Sequence, residues 1–114
     1  MHCGLMNASN GVLVMVAESA MRDEIDRVAA AAGVAVVHVV HPPSRQAWTG
    51  ASAVLLDVAG AGSCSASTLP RRAHIIVVSR GEPRAADWQV AVAVGAQRVM
   101  SLPSDEAQLV AALS

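Results

Sequence analysis

A chain of 114 residues is long enough for one domain with a real core, and too short for two. Hydrophobic residues make up 54% of it and the formal net charge is −1, which excludes a disordered chain. Its only aromatics are Trp48 and Trp88. Without stacking rings or a basic stripe, a nucleic-acid partner is not expected.

Every basic residue is an arginine; there is no lysine. Cys3 and Cys64 stand far apart with no C-x-x-C, so a reducing compartment is expected and a disulfide framework is not. The longest apolar stretch, Val28 to Val37, contains Gly33 and falls well short of the ~20 residues a bilayer requires. No charged region followed by an apolar run opens the chain, so no secretory signal is expected. These features predict a cytoplasmic protein with no direct membrane insertion.

In chain order, residues 1–10 are polar and small and are expected to be a flexible N-terminal segment, with Met6 as an alternative start. The domain itself is expected over 11–114. Val12 to Val16 reads as strand one, after Asn10-Gly11. Ser19 is the expected N-cap of a helix. Met21, Ile25, Val28, Ala29 and Ala32 then form one apolar stripe at helical spacing, and Gly33 closes it. Val34 to Val40 is strand two, stopped by Pro42-Pro43. A short helix or turn over Ser44 to Gly50 carries Trp48.

Ala53-Val54-Leu55-Leu56 is strand three, an apolar run with Asp57 at its carboxyl end. Gly60 to Ser65 reads as small and flexible, with at most a marginal helix through Ser67 to Leu69. Strand four runs His74 to Ser79, a helix Arg84 to Val94, and strand five Val99 to Leu102. Ser104 is expected to cap a last helix with Leu109, Val110 and Leu113 inward. Five short apolar strands alternating with helices predict an α/β three-layer sandwich on a five-stranded parallel sheet. The flavodoxin-like order 2-1-3-4-5 is the commonest arrangement for five, and it places Asp57 at the crevice between strands one and three.

The motifs exclude several chemistries. No P-loop is present, and no G-x-G-x-x-G follows strand one. Gly60-Ala61-Gly62 follows strand three, but no capped helix is predicted there, so a dinucleotide site is not expected. Ser63, Ser65, Ser67 and Ser79 lack a nucleophile elbow. His38 and His41 read as loop or core residues and not as metal ligands. Neither a cofactor nor a metal is expected, nor an enzyme. A small flavodoxin-like enzyme or nucleotide binder is the weaker alternative, set aside for want of a phosphate loop.

Residues 12–114 resemble a receiver domain of two-component signalling. The landmark is Val94-Gly95-Ala96-Gln97-Arg98-Val99-Met100-Ser101-Leu102-Pro103, where a Gly-Ala turn enters strand five and that strand ends before a proline. Leu56-Asp57 and a fourth strand ending in Ser79 fall in register. The chain more closely resembles the N-terminal receiver-like (CheY-like) domain of bacterial septum-site-determining proteins, the CpaE-like branch of the MinD/ParA ATPases. Arg22-Asp23-Glu24, Val36-Val37-His38-Val39, Leu69-Pro70-Arg71-Arg72 and Val94-Gly95-Ala96-Gln97 carry that likeness. It implies a following ATPase domain, so the chain reads as a fragment or a stand-alone relative.

The resemblance places Asp57 at the phosphoacceptor position and Ser79 at the hydroxyl position. The acidic pair falls on Val16 and Ala17, with only Glu18 acidic one place on. Leu102 stands at the lysine, Val99 at the switch aromatic, and Arg80 where a small residue is usual. It also implies a cis Leu102–Pro103 bond. Phosphoryl transfer to a carboxylate depends on Mg²⁺ and a cation to neutralise charge, and Mg²⁺ needs several hard oxygen ligands. Most of those parts are missing, so the expectation is a non-catalytic pseudo-receiver, a protein-interaction module in septum-site selection or cell division. A phosphorylatable receiver with Asp57 as acceptor is the alternative. Without a metal, Asp57 is expected to pair with Arg80 and to accept a hydrogen bond from Ser79.

The expected interaction surface, a partner or homodimer contact, lies on the last two helices and strand five. Trp88, Ala91, Val92 and Gly95 are predicted to face the sheet, leaving Val90 and Val94 outward with Val99 nearby.

Overall fold

The computed structural model describes residues 11–67 and 69–114. The expected flexible segment over 1–10, with Cys3 and the alternative start Met6, lies outside them. Among the described residues ten elements alternate: β1 (Val12–Met15), α1 (Ser19–Ala32), β2 (Val36–His38), α2 (Arg45–Gly50), β3 (Ala53–Leu56), α3 (Val58–Ala66), β4 (Ile75–Arg80), α4 (Ala85–Val94), β5 (Arg98–Leu102) and α5 (Glu106–Leu113). The strands form one sheet in the order β2-β1-β3-β4-β5, and every pairing is parallel. This is the predicted flavodoxin-like order.

The apolar runs in the strands follow from two-sided burial. Successive side chains alternate between faces. Val12, Val14, Leu55, Ile76 and Val78 therefore join Met21, Ile25, Val28, Leu109 and Leu113 in a core beneath α1 and α5. Leu13, Met15, Val54, Leu56 and Val77 pack on the opposite face with Trp48, Ala61, Cys64, Ala91 and Val94, beneath α2, α3 and α4. No helix among the described residues is long and apolar enough to cross a membrane.

Helix ends match the sequence at the glycines and depart from it at the N-caps. Gly33 and Gly95 both take left-handed φ, 76° and 81°. Each donates its backbone N–H back to the last turn, as a C′ glycine does. At α1, however, Glu18 holds the cap position with no side-chain cap hydrogen bond, and Ser19 is already helical. At α5 the cap residue is Asp105, not Ser104; its carboxylate accepts instead from Ser101 N at 2.8 Å.

The larger correction is α3. A flexible stretch was expected, yet a nine-residue helix starts directly after Asp57 and leaves at Ser67. Its glycines and serines are poor helix formers alone, but Gly60 lets the helix press close under the sheet, and packing overrides propensity. β2 is also shorter than expected, Val36–His38 only.

Candidate functional site

The carboxyl edge of the sheet gathers the loops after β1, β3 and β4, and Asp57 lies at its centre. It is the N-cap of α3, and its Oδ1 accepts from Gly60 N at 2.6 Å. Its Oδ2 accepts from Ala17 N at 2.9 Å. One carboxylate thus ties the first turn of α3 to the β1–α1 loop. The same loop is held from the other side by Arg22, whose Nη1 donates to the carbonyls of Val16 at 3.0 Å and Ala17 at 2.7 Å.

The closeness of α3 to β1 rests on Gly60. A Cβ there would stand 2.4 Å from Met15 O and 3.0 Å from Asp57 Oδ1. The glycine is required by close approach, not by its φ.

Arg80 does not pair with Asp57, as the sequence suggested. Its Nε lies 2.8 Å from Glu18 Oε1 and its Nη2 lies 3.1 Å from Glu24 Oε1. Strand alternation explains the difference. Arg80 shares the face of Val78, which packs under α1, and α1 with its cap supplies both glutamates. The Glu18 hydrogen bond and charge, then Glu24, push the Arg80 guanidinium above its ordinary value. Ser79 also misses Asp57: it is buried, and its Oγ donates to Gly81 O at 3.0 Å. Ser101 Oγ donates to the same carbonyl.

The receiver fold implies a Mg²⁺ ion here, and these residues do not fit one. Val16 and Ala17 bring no side-chain oxygen. Glu18 is engaged by Arg80, and both Asp57 oxygens accept from backbone N–H groups. Among the described residues no three His, Cys, Asp or Glu side chains form a metal-holding group. At the lysine position, Leu102 is fully buried in the core under α1 and α5. The Leu102–Pro103 bond is cis, as the resemblance implied.

On α4 Ala91 faces the sheet as predicted, and the rest of the orientation is corrected. Asp87, Ala91 and Val94 are buried, and Trp88 and Val92 are exposed at 53% and 77%. Val90 and Val99 are half-buried against the same core as Val94. The helix is apolar nearly all round, so its period could not orient it. The informative signal was Asp87, whose Oδ2 accepts from Arg84 N at 2.7 Å. That fixes the first turn and sends residues 91 and 94 inward. His38 is held by Asp26 of α1, Nε2 to Oδ1 at 2.7 Å.

Beneath the site, Cys64 of α3 is buried, with Sγ 3.9 Å from Met15 Sδ. Burial disfavours the thiolate and pushes the thiol pKa up. The unfolded chain therefore ionises first. The stability present below the unfolded pKa is lost as pH rises toward the folded one. In a Cys3→Ser background, Cys64 is expected to resist Ellman's reagent near neutral pH and to react as denaturant unfolds the chain; fast reaction in native buffer would contradict this burial.

Comparison with known proteins supplies the context of this geometry. A family model described as Rv3660c-like, CheY-like N-terminal domain matches residues 15–114. Uncharacterized protein Rv3660c of Mycobacterium tuberculosis strain H37Rv is 47% identical over 102 residues, 88% of this chain and 29% of that protein. Uncharacterized protein MT3760 of strain CDC 1551 matches with the same identity and coverage. The chain thus spans 29% of the length of the curated relatives it matches. The crystal structure of a response regulator CheY-like protein from Mesorhizobium loti aligns with TM-score 0.56 and 18% identity, over 91% of this chain and 96% of that one. At that identity the likeness concerns the fold.

Proposed function

The chain belongs to the Rv3660c-like, CheY-like N-terminal domain family, and from that premise we propose that it is a pseudo-receiver: a non-catalytic, cytoplasmic regulatory module that works by binding protein. The observation that carries this reading is the Asp57 carboxylate, whose two oxygens accept from Gly60 N and Ala17 N while Arg80 is turned away to α1. A phosphoacceptor needs a metal to draw charge from the incoming phosphoryl group, and the side chains around Asp57 supply no cage for one. Here the carboxylate is a structural latch that holds the loops at the carboxyl edge in one arrangement.

The surface offered to a partner is the outer side of α4, where Trp88 and Val92 stand four residues apart and exposed. Half-buried Val90 and Val99 border it; Val94 drops out because it is core. The finer assignment, to septum-site determination, rests on Arg22-Asp23-Glu24, Leu69-Pro70-Arg71-Arg72 and Val94-Gly95-Ala96-Gln97. In that reading the partner is the protein's own MinD/ParA-type ATPase domain, or a second copy.

The test is treatment with acetyl phosphate, and separately beryllofluoride, in the presence of Mg²⁺. The domain is expected to show no aspartyl phosphate by mass spectrometry and no Mg²⁺-dependent amide shifts centred on Asp57 at low millimolar metal. Stoichiometric phosphorylation of Asp57 would establish the alternative, a live receiver.

A further inference from the structure

Glu24 is a carboxylate set where the core begins. It lies on the inner side of α1 among buried residues, and its side chain keeps only 12% exposure. A charge so placed needs a counter-charge, because leaving it unmet is costly. The counter-charge comes from the end of β4. Arg80 Nη2 donates to Glu24 Oε1 at 3.1 Å, and Arg80 Nε donates to Glu18 Oε1 at 2.8 Å. Both N–H groups lie on one edge of the planar guanidinium, so two carboxylates converge on a single cation.

The same cation walls the crevice beside Asp57. That crevice, of about 350 Å³, is lined by Glu18, Asp57, Ser79, Arg80, Glu82 and Arg84 among others. The Asp57 oxygens are met by backbone amides. Among the described residues Arg80 is the one arginine in an ion pair. An exposed pair such as Arg80 with Glu18 would count for little alone; buried Glu24 is what makes the cation necessary.

We propose that Arg80 is the resident cation of the carboxyl edge: it joins two carboxylates of α1 and its cap, so that the domain needs no divalent ion there, and its charge keeps such ions away. The receiver fold implies Mg²⁺ at this edge, and these residues do not fit one. A guanidinium fixed in the chain answers that misfit. It occupies one oxygen of each glutamate, and its charge repels a second cation. Mg²⁺ binds through one or two carboxylates and keeps several waters, so Glu18 and Glu24 become eligible ligands once Arg80 is removed. This deepens the pseudo-receiver reading and rests on it.

The experiment is thermal unfolding and amide-shift titration with Mg²⁺ and, separately, Ca²⁺. Ionic strength is held constant, since screening would imitate part of the effect. Arg80→Gln is expected to melt below the wild type and to regain stability as the divalent ion rises through low millimolar concentrations. The shifts should centre on Glu18 and Glu24, with affinity about tenfold or more above the wild type's. Arg80→Lys keeps the charge and is expected to stay insensitive to the ion. Arg80→Gln/Glu24→Gln is expected to fold and to lose the response. If Arg80→Gln folds and ignores both ions, or unfolds and neither ion restores it, the proposal falls and the pseudo-receiver reading stands. Mg²⁺-dependent shifts centred on Asp57 in the wild type would refute that reading, and the proposal with it.

Discussion

Gly60→Ala is expected to destabilise the domain by about 3 kcal/mol or more, beyond the usual cost of one added methyl group. The new Cβ would stand 2.4 Å from Met15 O and 3.0 Å from Asp57 Oδ1. The nearer obstacle is backbone in a central strand, so no side chain can swing aside. α3 must move away from β1, and the move pulls Gly60 N from the Asp57 carboxylate. The core around Ala61 and Cys64 opens with it. Gly62, two residues on in the same helix, is the control. A Cβ there meets nothing within 4 Å, so Gly62→Ala is expected to be neutral or to stabilise by about 0.5–1 kcal/mol, as alanine favours the helix. Urea unfolding of both variants checks the pair. Equal effects would mean that α3 does not press on β1 as described.

Trp48→Ala is expected to cost about 3–5 kcal/mol, the range for emptying an aromatic site in a core. Trp48 is 1% exposed and sits on a helix of six residues capped by Ser44. That helix is too short to be stable without its packing, so the ring holds α2 to the sheet. The indole Nε1 donates to Pro70 O at 2.7 Å, and Arg72 Nη1 donates to the Trp48 carbonyl. Loss of the ring therefore also loosens the α3–β4 connection. Burial lowers the Arg72 pKa, and its donation to the Trp48 and Ala73 carbonyls is the compensation. Trp48→Phe keeps most of the volume and loses the indole donor, so a smaller cost is expected. Fluorescence gives a second readout: Trp48 should resist acrylamide while Trp88, half exposed, is quenched. If Trp48→Ala unfolds within 1 kcal/mol of the wild type, the ring is not the anchor described here.

The strands and their order were legible because two-sided burial writes continuous apolar runs that glycines and prolines interrupt. Leu55-Leu56-Asp57 alone located the carboxyl edge. α1 was legible from its single stripe, except for Glu24. That residue reads as solvated and is buried because a cation from β4, 56 residues away, meets it. Such a pair leaves no local trace. α3 was missed for the opposite reason: its glycines read as slack, and only the nearness of Met15 O shows Gly60 to be clearance. Asp57 lies at the carboxyl edge where the sequence placed it, with partners other than Arg80 and Ser79. Its partners are two backbone amides, and an amide has no letter in a sequence. α4 was placed correctly and rotated wrongly, since a helix apolar on every side carries no stripe to read.

The identity of one of those partners bears on how the site can change over generations. The Asp57 oxygen that reaches the β1–α1 loop is met by the main-chain N–H of Ala17, a group that every amino acid but proline supplies. Side chains at 16 and 17 are thus released from any duty to the carboxylate. Ala17 is exposed, so substitutions there can accumulate with the latch intact, whereas a proline would open it in one step; Val16 is kept apolar by the core it packs in.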